Sequence, residues 1–509
     1  MRVACVGGGP GGLFLATLLK RDRPDAEVTV FERNRPDDTF GFGVVFSDAT
    51  LGGIDAADPV LSEALAAHGR HWDQIEVRVK GQRERCGGNG MSAIARKTLL
   101  GLLQKRARAS GVRMCFRHEV QDPAQLAGFD LVVVSDGANS RLRAGFAADF
   151  GPSASTATAK FIWFGTTHLF DGLTFVHADG PHGVFAAHAY PISGELSTFI
   201  VETDEQSWAR AGLDEFGTSG PPGPSDEKTR AYLEDLFASE IGGHALVGNN
   251  SRWGNFTTRR AATWRRGIGG GPHWALLGDA AHTAHFSVGS GTKMAMEDAV
   301  ALARALGEHG HDIAAALDQY EATRRPEVER IQSAARPSLS WWEHFGRYAR
   351  AFDPVQFGFH FLTRSITRTR LARRDPGYVL HVDDWWRRRH GASPLDTPFG
   401  LAGIALPSRR VEGRLEAAGG SGKTVPCAWV EAPADEAGLP GALAAVRTAA
   451  SAGAPLIGVR DGTPLTRVLL AEEARLACQV PAALAGRYDD DAAETLILSG
   501  RADLVTVTP

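Results

Sequence analysis

The run RVACVGGGPGGLFLATLLK, residues 2–20, constrains this chain more than any other stretch. A short apolar strand (2–7) ends in consecutive glycines, and an apolar helix (11–20) starts at once. Gly7, Gly9 and Gly12 stand in GxGxxG spacing, so the backbone turns tightly, lets N–H groups approach an anion and aims a helix N-terminus at it. The strand EVTVFER (27–33) completes a βαβ unit, which commits this part of the chain to a parallel sheet. Glu32 closes that strand 25 residues after Gly7, where a carboxylate accepts hydrogen bonds from an adenosine ribose. Pro10 and Arg33 complete this candidate cofactor-binding set.

At 509 residues the chain is too long for one ordinary core; about 100–200 residues per domain suggests roughly three units. The balance of 55 basic and 59 acidic residues, net −4, argues against a nucleic-acid or anionic-membrane role carried by bulk charge. Cys5, Cys86, Cys115, Cys427 and Cys478 form no CxxC pair, so neither a zinc site nor a disulfide framework is indicated and a reducing cytoplasm fits. The N-terminus enters a strand without the regions of a signal peptide, and no apolar run approaches the roughly 20 residues of a membrane-spanning helix.

Along the chain, DDTFGFGVVFSDATLGG (37–53) reads as a long glycine-rich loop, a helix is expected around 93–109, and DLVVVSDG (130–137) resumes the sheet. From about 155 to 265 the texture changes to alternating runs such as KFIWFGTTHLF and GVFAAHAYPI, expected to form an antiparallel sheet with one solvated face. GTSGPPGPSDEK (217–228) reads as a surface loop within it, and 311–389 as mostly helical. A linker near 388–398 leads into an Ala/Gly-rich α/β segment. The expected division is 1–154 (first part of a dinucleotide-binding domain), 155–265 (substrate sheet), 266–390 (second part with a helical segment) and 397–509 (small C-terminal α/β domain).

Two more motifs follow buried strands. DGANSRLR places Asp136, Gly137, Ser140 and Arg143 in DGxxSxxR spacing. In WALLGDAAHTAHFSVGSGTKMAMEDA (274–299), Gly278, Asp279 and Ala280 end a strand, and Gly289, Gly291 and Thr292 allow close backbone approach before a helix. Asp279 can bond a polyol, and the helix N-terminus can stabilise negative charge on a reduced ring.

GxGxxG, DGxxSxxR and GDAAH, in this order, resemble the single-component class A flavoprotein aromatic hydroxylases, with the fold of para-hydroxybenzoate hydroxylase, over residues 1–390. The resemblance implies a Rossmann-like FAD-binding domain of the GR2 type with an inserted antiparallel substrate sheet. It also implies FAD, with adenosine at Gly7 to Glu32 and Asp279 beside the ribityl chain and pyrophosphate. NADH or NADPH is implied as a transient reductant and molecular oxygen as co-substrate. Arg96 matches the family arginine that reaches the FAD phosphates; read from the residues alone, it is a solvated helix arginine. Phe286 and Lys293 replace the proline and asparagine of GDAAHxxxPxxGxGxN. The stretches at 32–53 and 278–299 resemble a narrower subgroup, the salicylyl-CoA 5-hydroxylases and anthraniloyl-CoA monooxygenases, where these replacements are normal. That subgroup continues into an old-yellow-enzyme-like barrel, which 397–411 and 494–507 resemble, but such a barrel takes about 250 residues. The segment 397–509 is therefore read as a barrel remnant, with a thioredoxin-like fold as the alternative, structural in role and able to support a homo-oligomer.

The implied reaction is hydroxylation of an electron-rich aromatic or heteroaromatic ring through a flavin C4a-hydroperoxide, with the protein supplying position, electrostatics and exclusion of water. A base near neutral pKa helps if the substrate is a phenol. His188 and Tyr190 lie on the sheet expected to face the flavin, although a hydrogen-bonded core histidine is the plainer reading. Ser47 and Asp48 approach the flavin if the family loop is kept, or else cap a short helix. Trp163, Phe164, Phe185 and Phe199 line a flat pocket or pack the sheet core. His282 and His285 lack a third ligand, so no metal is expected. A tailoring hydroxylase of secondary metabolism is the leading expectation and an aryl-CoA hydroxylase of aromatic catabolism the alternative; the arginine-rich segments at 364–374 and 387–389 read equally as a patch for CoA phosphates and as solvated helix faces. A halogenase is disfavoured by the missing WxWxIP signature, and a non-catalytic flavin-binding scaffold is the option outside enzymes.

Overall fold

Val3–Val6 and Leu131–Val134 are buried at every position, as expected of parallel strands covered on both faces. They lie at the centre of a computed structural model that describes residues 1–39, 41–215, 225–267, 271–289, 291–411 and 426–507. The chain divides into two compact units, residues 1–75 with 89–343, and 76–88 with 344–509. Among the described residues no helix is long and apolar enough to cross a membrane.

In the first unit, six strands run in the order Arg265–Arg266, His273–Leu276, Leu131–Val134, Arg2–Val6, Glu27–Glu32, Arg113–Phe116. All pair in parallel except the edge strand Arg265–Arg266. Each nucleotide-type motif therefore begins where a central strand of one sheet ends. The helix Pro10–Asp22 packs so closely under the third motif that a Cβ on Gly11 would lie 2.6 Å from Leu277 Cδ2.

The stretch 37–53 is not a single loop. Its GVVFS run forms the strand Gly43–Ser47, paired antiparallel with Met91–Ala95, and the helix Asp48–Ala57 follows. Pairing across that small sheet also delays the helix expected from 93, which starts at Arg96 and ends at Ala109. Tertiary strand pairing outweighs local helical periodicity at these positions.

The antiparallel sheet of this unit has the order Leu246–Val247, Pro152–Thr166, Ser197–Thr203, Gly183–Pro191, Leu173–Gly180, with Gly254–Ala261 also along Pro152–Thr166. Alternation predicts one solvated face, yet Gly183–Pro191 and Ser197–Thr203 are buried at every residue. Phe164, Phe185 and Phe199 pack on one face with Leu233 and Phe237. The opposite face meets the loop after Gly278 and the tryptophans of the helix Ile313–Ala351. Residues 217–224 of the run expected as a surface loop lie outside the described residues, and the helix Glu227–Leu236 begins within its end.

The second unit holds a five-stranded sheet, Arg410–Val411, Leu504–Thr506, Ala482–Ala485, Ile457–Arg460, Ala428–Glu431, parallel at every pairing. From Ala428–Glu431 onward each new strand is added on the same side across a helix, and the first strand pairs with the last. This one-way winding lacks the reversal of direction of a doubly wound sheet. A hairpin, Phe399–Leu401 with Ile404–Leu406, precedes it.

Candidate active site

Gly7 sits at φ 115°, where a Cβ would lie 2.2 Å from the Ser135 carbonyl oxygen, and a Cβ on Gly12 would lie 2.3 Å from that of Gly7. These two glycines let strand, turn and helix close up. Gly9 differs: a Cβ there meets nothing within 4 Å, so it borders open space. Gly9 precedes Pro10, and no side chain caps the helix, which leaves first-turn N–H groups for an anion. Glu32 is pinned at the turn, Oε2 accepting from Gly8 N at 2.7 Å and Oε1 from Asn34 N at 2.8 Å. Arg33 beside it is exposed, whereas Phe31 and Glu32 are half-buried.

The second and third motifs are tied directly together. Arg143 donates from Nη1 to the Ala280 carbonyl (2.9 Å) and from Nη2 to that of Ala138 (2.8 Å), while Ser140 Oγ caps its helix by accepting from Arg143 N. Gly137 turns at φ 90° and Gly278 at φ 62°. Asp136 Oδ1 is buried without a hydrogen-bond partner among the described residues, and burial pushes this carboxyl above its ordinary pKa. Such an orphaned acceptor fits a ligand hydroxyl.

Asp279 is exposed in the turn Gly278–Ala280, between the buried Gly278 and Ala280. Desolvation raises its pKa, opposed by His282 and Arg96. Half-buried Arg96 is no solvated helix arginine; desolvation lowers its pKa, against the attraction of Asp279 and Tyr190. Gly291 opens the helix Gly291–His309 with its Cβ position 3.9 Å from Asp279 Oδ1; Thr292 follows it, and Gly289 (φ 61°) borders open space. Fully buried Asp298 anchors this loop, accepting from Gly278 N (3.0 Å), His282 Nε2 (2.8 Å) and Arg324 Nε (2.8 Å). Burial raises the Asp298 pKa, but His282 and Arg324 outweigh it and hold it low. The open glycine edge, the orphaned Asp136 oxygen and the interacting charges of Asp279 and Arg96 fit a dinucleotide with a polyol segment.

On the antiparallel sheet, register decides what faces the loop after Gly278. Phe175 pairs with His188, His188 with Ile200, Ala186 with Glu202 and Trp163 with Ile200, so His188, Glu202, Trp163, Phe175 and Tyr190 share one face. Phe286 meets this face, its ring 5.0 Å from Phe161, 6.3 Å from Trp163 and 5.6 Å from His188. Trp342 lies 4.3 Å from His188. Of the four aromatics expected to line a pocket, only Trp163 is on this face; Phe164, Phe185 and Phe199 point to the opposite core, as a period of two requires.

Glu202, 1 % exposed, bridges two histidines: Oε2 accepts from His188 Nε2 at 2.9 Å, and Oε1 lies 3.0 Å from His285 Nε2. Burial alone would raise its pKa, but His285 and His188 outweigh it and lower it to about 2. His285 Nδ1 accepts from Ser287 N (3.3 Å) and lies 2.7 Å from Ser287 Oγ, which in turn is 3.1 Å from Ser338 Oγ.

The remaining expected residues have local partners. Tyr190 stacks on Trp72 (6.1 Å) and donates a long hydrogen bond to the Gly43 carbonyl (3.4 Å); burial pushes its phenol up to about 12, far from a neutral-pH base. Ser47 Oγ caps the helix Asp48–Ala57, as the capping reading expects, whereas exposed Asp48 is the first helical residue and pairs with His71 at 3.2 Å. His282 and His285 are turned to different carboxylates, Asp298 and Glu202. Lys293 pairs with Glu297 at 2.6 Å. A separate cleft of about 310 Å³ lined by Thr263, Arg265, Asp318, Glu321 and Arg325 takes in none of the motif residues. Glu202 and Asp298 escape a reading of the sequence; the available signal is an acid inside an apolar run, since such residues are buried only when paired.

The family model described as FAD binding domain matches residues 1–335. The chain is 69 % identical over 518 aligned residues, 99 % of either chain, to a salicyloyl-CoA 5-hydroxylase from a Streptomyces species. It is 39 % identical over 342 residues, 67 % of this chain and 89 % of the relative, to a 3-hydroxy-4-methyl-anthranilyl-[aryl-carrier protein] 5-monooxygenase from Streptosporangium sibiricum. In fold it is similar to p-nitrophenol 4-monooxygenase from Pseudomonas putida DLL-E4, with a TM-score of 0.56 and 18 % identity, over 75 % of this chain and 95 % of that one.

Proposed function

Because this chain belongs to the FAD binding domain family and is a flavin-dependent monooxygenase, we propose that it hydroxylates an aryl-CoA thioester of the salicyloyl type, para to the ring hydroxyl. The observation that carries this reading is the identity of 69 % across 99 % of both chains with a salicyloyl-CoA 5-hydroxylase, second unit included. FAD, when bound and reduced by NADH or NADPH, supplies an electrophilic oxygen drawn from dioxygen.

In this reading the uncapped turn at Gly7, Gly9, Pro10 and Gly12 holds the cofactor diphosphate, Glu32 with Arg33 beside it the adenosine ribose, and Arg96 the phosphates. Asp136 and Asp279 take hydroxyl groups, and Gly137, Arg143, Gly278, Ala280, Gly289, Gly291 and Thr292 shape the loops around them. Phe161, Trp163, Phe175, Phe286 and Trp342 offer flat apolar surface that holds an aromatic ring and keeps water away. Residues 1–154 and 266–390 serve the cofactor and 155–265 the substrate. Residues 397–509 are a shortened barrel arc with a structural role, a reading supported by their one-way parallel order. A cytoplasmic location and homo-oligomeric assembly belong to the same proposal and are tested by cell fractionation and light scattering.

A second reading, a tailoring step on a carrier-bound aryl thioester, is favoured by the 39 % identity to an aryl-carrier-protein monooxygenase. One experiment separates the two. The FAD-loaded protein is mixed with NADH or NADPH in stopped flow, alone and with salicyloyl-CoA, a carrier-bound salicyloyl thioester or free salicylate, under ¹⁸O₂. The CoA ester is expected to accelerate flavin reduction at least tenfold and to gain one labelled oxygen. Acceleration by the carrier thioester alone would move the function to tailoring, and none by any thioester would overturn both.

A further inference from the structure

Of the arginine-rich segments, 364–374 serves the fold: Arg368 pairs with Asp383, and Arg364 lies over the Phe361 ring at 4.0 Å. Arg389 instead borders a cleft of about 530 Å³ inside the second unit, a volume that suits a nucleotide-sized ligand. The charged lining comes from distant stretches of the chain. Lys80, Arg389, Arg409 and Arg475 stand against Asp353 and Asp503, so four cations face two carboxylates. Asp353 pairs with Arg389 at 3.3 Å, and Asp503 Oδ2 accepts from Arg475 Nε at 2.7 Å. Lys80 donates to the carbonyls of Arg350 (3.0 Å) and Phe352 (2.7 Å) where the helix Ile313–Ala351 ends, a place that favours a cation.

Arg409 has no such explanation. It precedes the strand Arg410–Val411 rather than closing a helix, and among the described residues no carboxylate pairs with it. Its Nη1 donates to the Asp503 carbonyl at 3.1 Å, while Nε is buried without a hydrogen-bond partner among the described residues. Burial lowers its pKa, opposed by Asp503 and reinforced by Arg475. His390, on the same lining, is also held down, by burial, Arg409 and Arg389. The cleft therefore carries positive charge that the protein leaves unneutralised. Arg409 lies 5.3 Å from the Trp386 ring and 4.9 Å from that of Phe399, and Arg389 lies 5.4 Å from that of Trp385. These aromatic faces hold both guanidiniums in place before any ligand arrives.

We propose that this cleft binds the phosphate groups of a nucleotide, with Arg409, Lys80 and Arg475 as its anion contacts. Two cations in excess match a bisphosphate or diphosphate better than a single carboxylate. The phosphates belong either to the nucleotide end of a CoA thioester or to a free nucleotide. The first source rests on the proposed aryl-CoA reading; the second does not.

The test uses the FAD-loaded full chain, with adenosine 3′,5′-bisphosphate as the probe in titration calorimetry. The probe is expected to bind and adenosine is not. R409Q is expected to weaken probe binding about tenfold, the loss of one charge-assisted contact, and K80Q about threefold. Hydrogen-exchange protection on adding the probe should fall on Pro376–His390 and Arg410–Val411. No binding of the probe, or equal affinity in the unmodified protein, R409Q and K80Q, overturns the inference. If R409Q does not fold, K80Q decides alone. Turnover then assigns the source. If it is the substrate, the probe competes with salicyloyl-CoA, and R409Q raises the KM for salicyloyl-CoA about tenfold more than that for salicyloyl-pantetheine, which carries no phosphate. A probe that binds at the cleft without competing assigns it to a free nucleotide, and the inference stands. Turnover of neither thioester by the unmodified protein refutes the substrate reading instead, and the probe titration decides the cleft by itself.

Discussion

Replacing Asp279 with asparagine removes a carboxylate whose ionised form the cofactor-free fold disfavours, since desolvation raises its pKa despite His282 and Arg96. D279N is therefore expected to raise the melting temperature of the cofactor-free protein at pH 7 while weakening FAD binding tenfold or more, as thermal melts with and without FAD would report. Gly7 responds oppositely: at φ 115°, with a Cβ 2.2 Å from a carbonyl oxygen, G7A should cost about 3 kcal/mol in urea unfolding. Glu202 gives the pH dependence. Its folded pKa, lowered to about 2, lies below its unfolded value, so its stabilisation is complete above the unfolded pKa of about 4.3 and is lost as pH falls from there through the folded value. Acid unfolding of the unmodified protein should thus lose about 2–3 kcal/mol across that window, and E202Q should lose far less. GxGxxG announces the glycine geometry because a positive φ and a missing Cβ are local demands. No local pattern reports the pairing of Glu202 with two histidines.

The antiparallel strands show how one element serves two purposes. Phe199 is fully buried on the core face, so F199A should cost about 3–5 kcal/mol of stability with kcat little changed in the surviving folded fraction. Trp163 on the other face should behave in reverse: W163A loses ring binding, seen as a raised KM and NADH oxidation uncoupled from hydroxylation, with a smaller stability cost. Exchange of these two phenotypes would mean that the register is displaced by one residue. Alternation alone makes an antiparallel sheet legible in 155–265. It leaves open which face meets the loop after Gly278, because both faces are buried. The strand Gly43–Ser47 is hidden for a related reason: its pairing partner, Met91–Ala95, lies far along the chain.

At the scale of the whole molecule, each unit has its own core. In the second, Glu472 is buried against Tyr348 and Arg347. E472A should destabilise that unit by about 3–5 kcal/mol by leaving buried charge uncompensated, measured as lost hydrogen-exchange protection in Ile457–Arg460 and Ala482–Ala485. The one-way strand order there is not legible in the sequence, since it is set by which helices cover which face. By itself the sequence determined the three motif turns, their order and the parallel sheet that carries them, while the cofactor and class of reaction came from the resemblance those motifs carry. Each of these depends on a few neighbouring residues: a glycine at positive φ, an uncapped helix start, an acid at a strand end. Only the tertiary structure decided that Trp163 and not Phe199 faces the loop after Gly278, that Tyr190 buttresses a strand, and that Glu202 joins His188 to His285. Those outcomes depend on register and burial between distant segments, which no local spacing encodes.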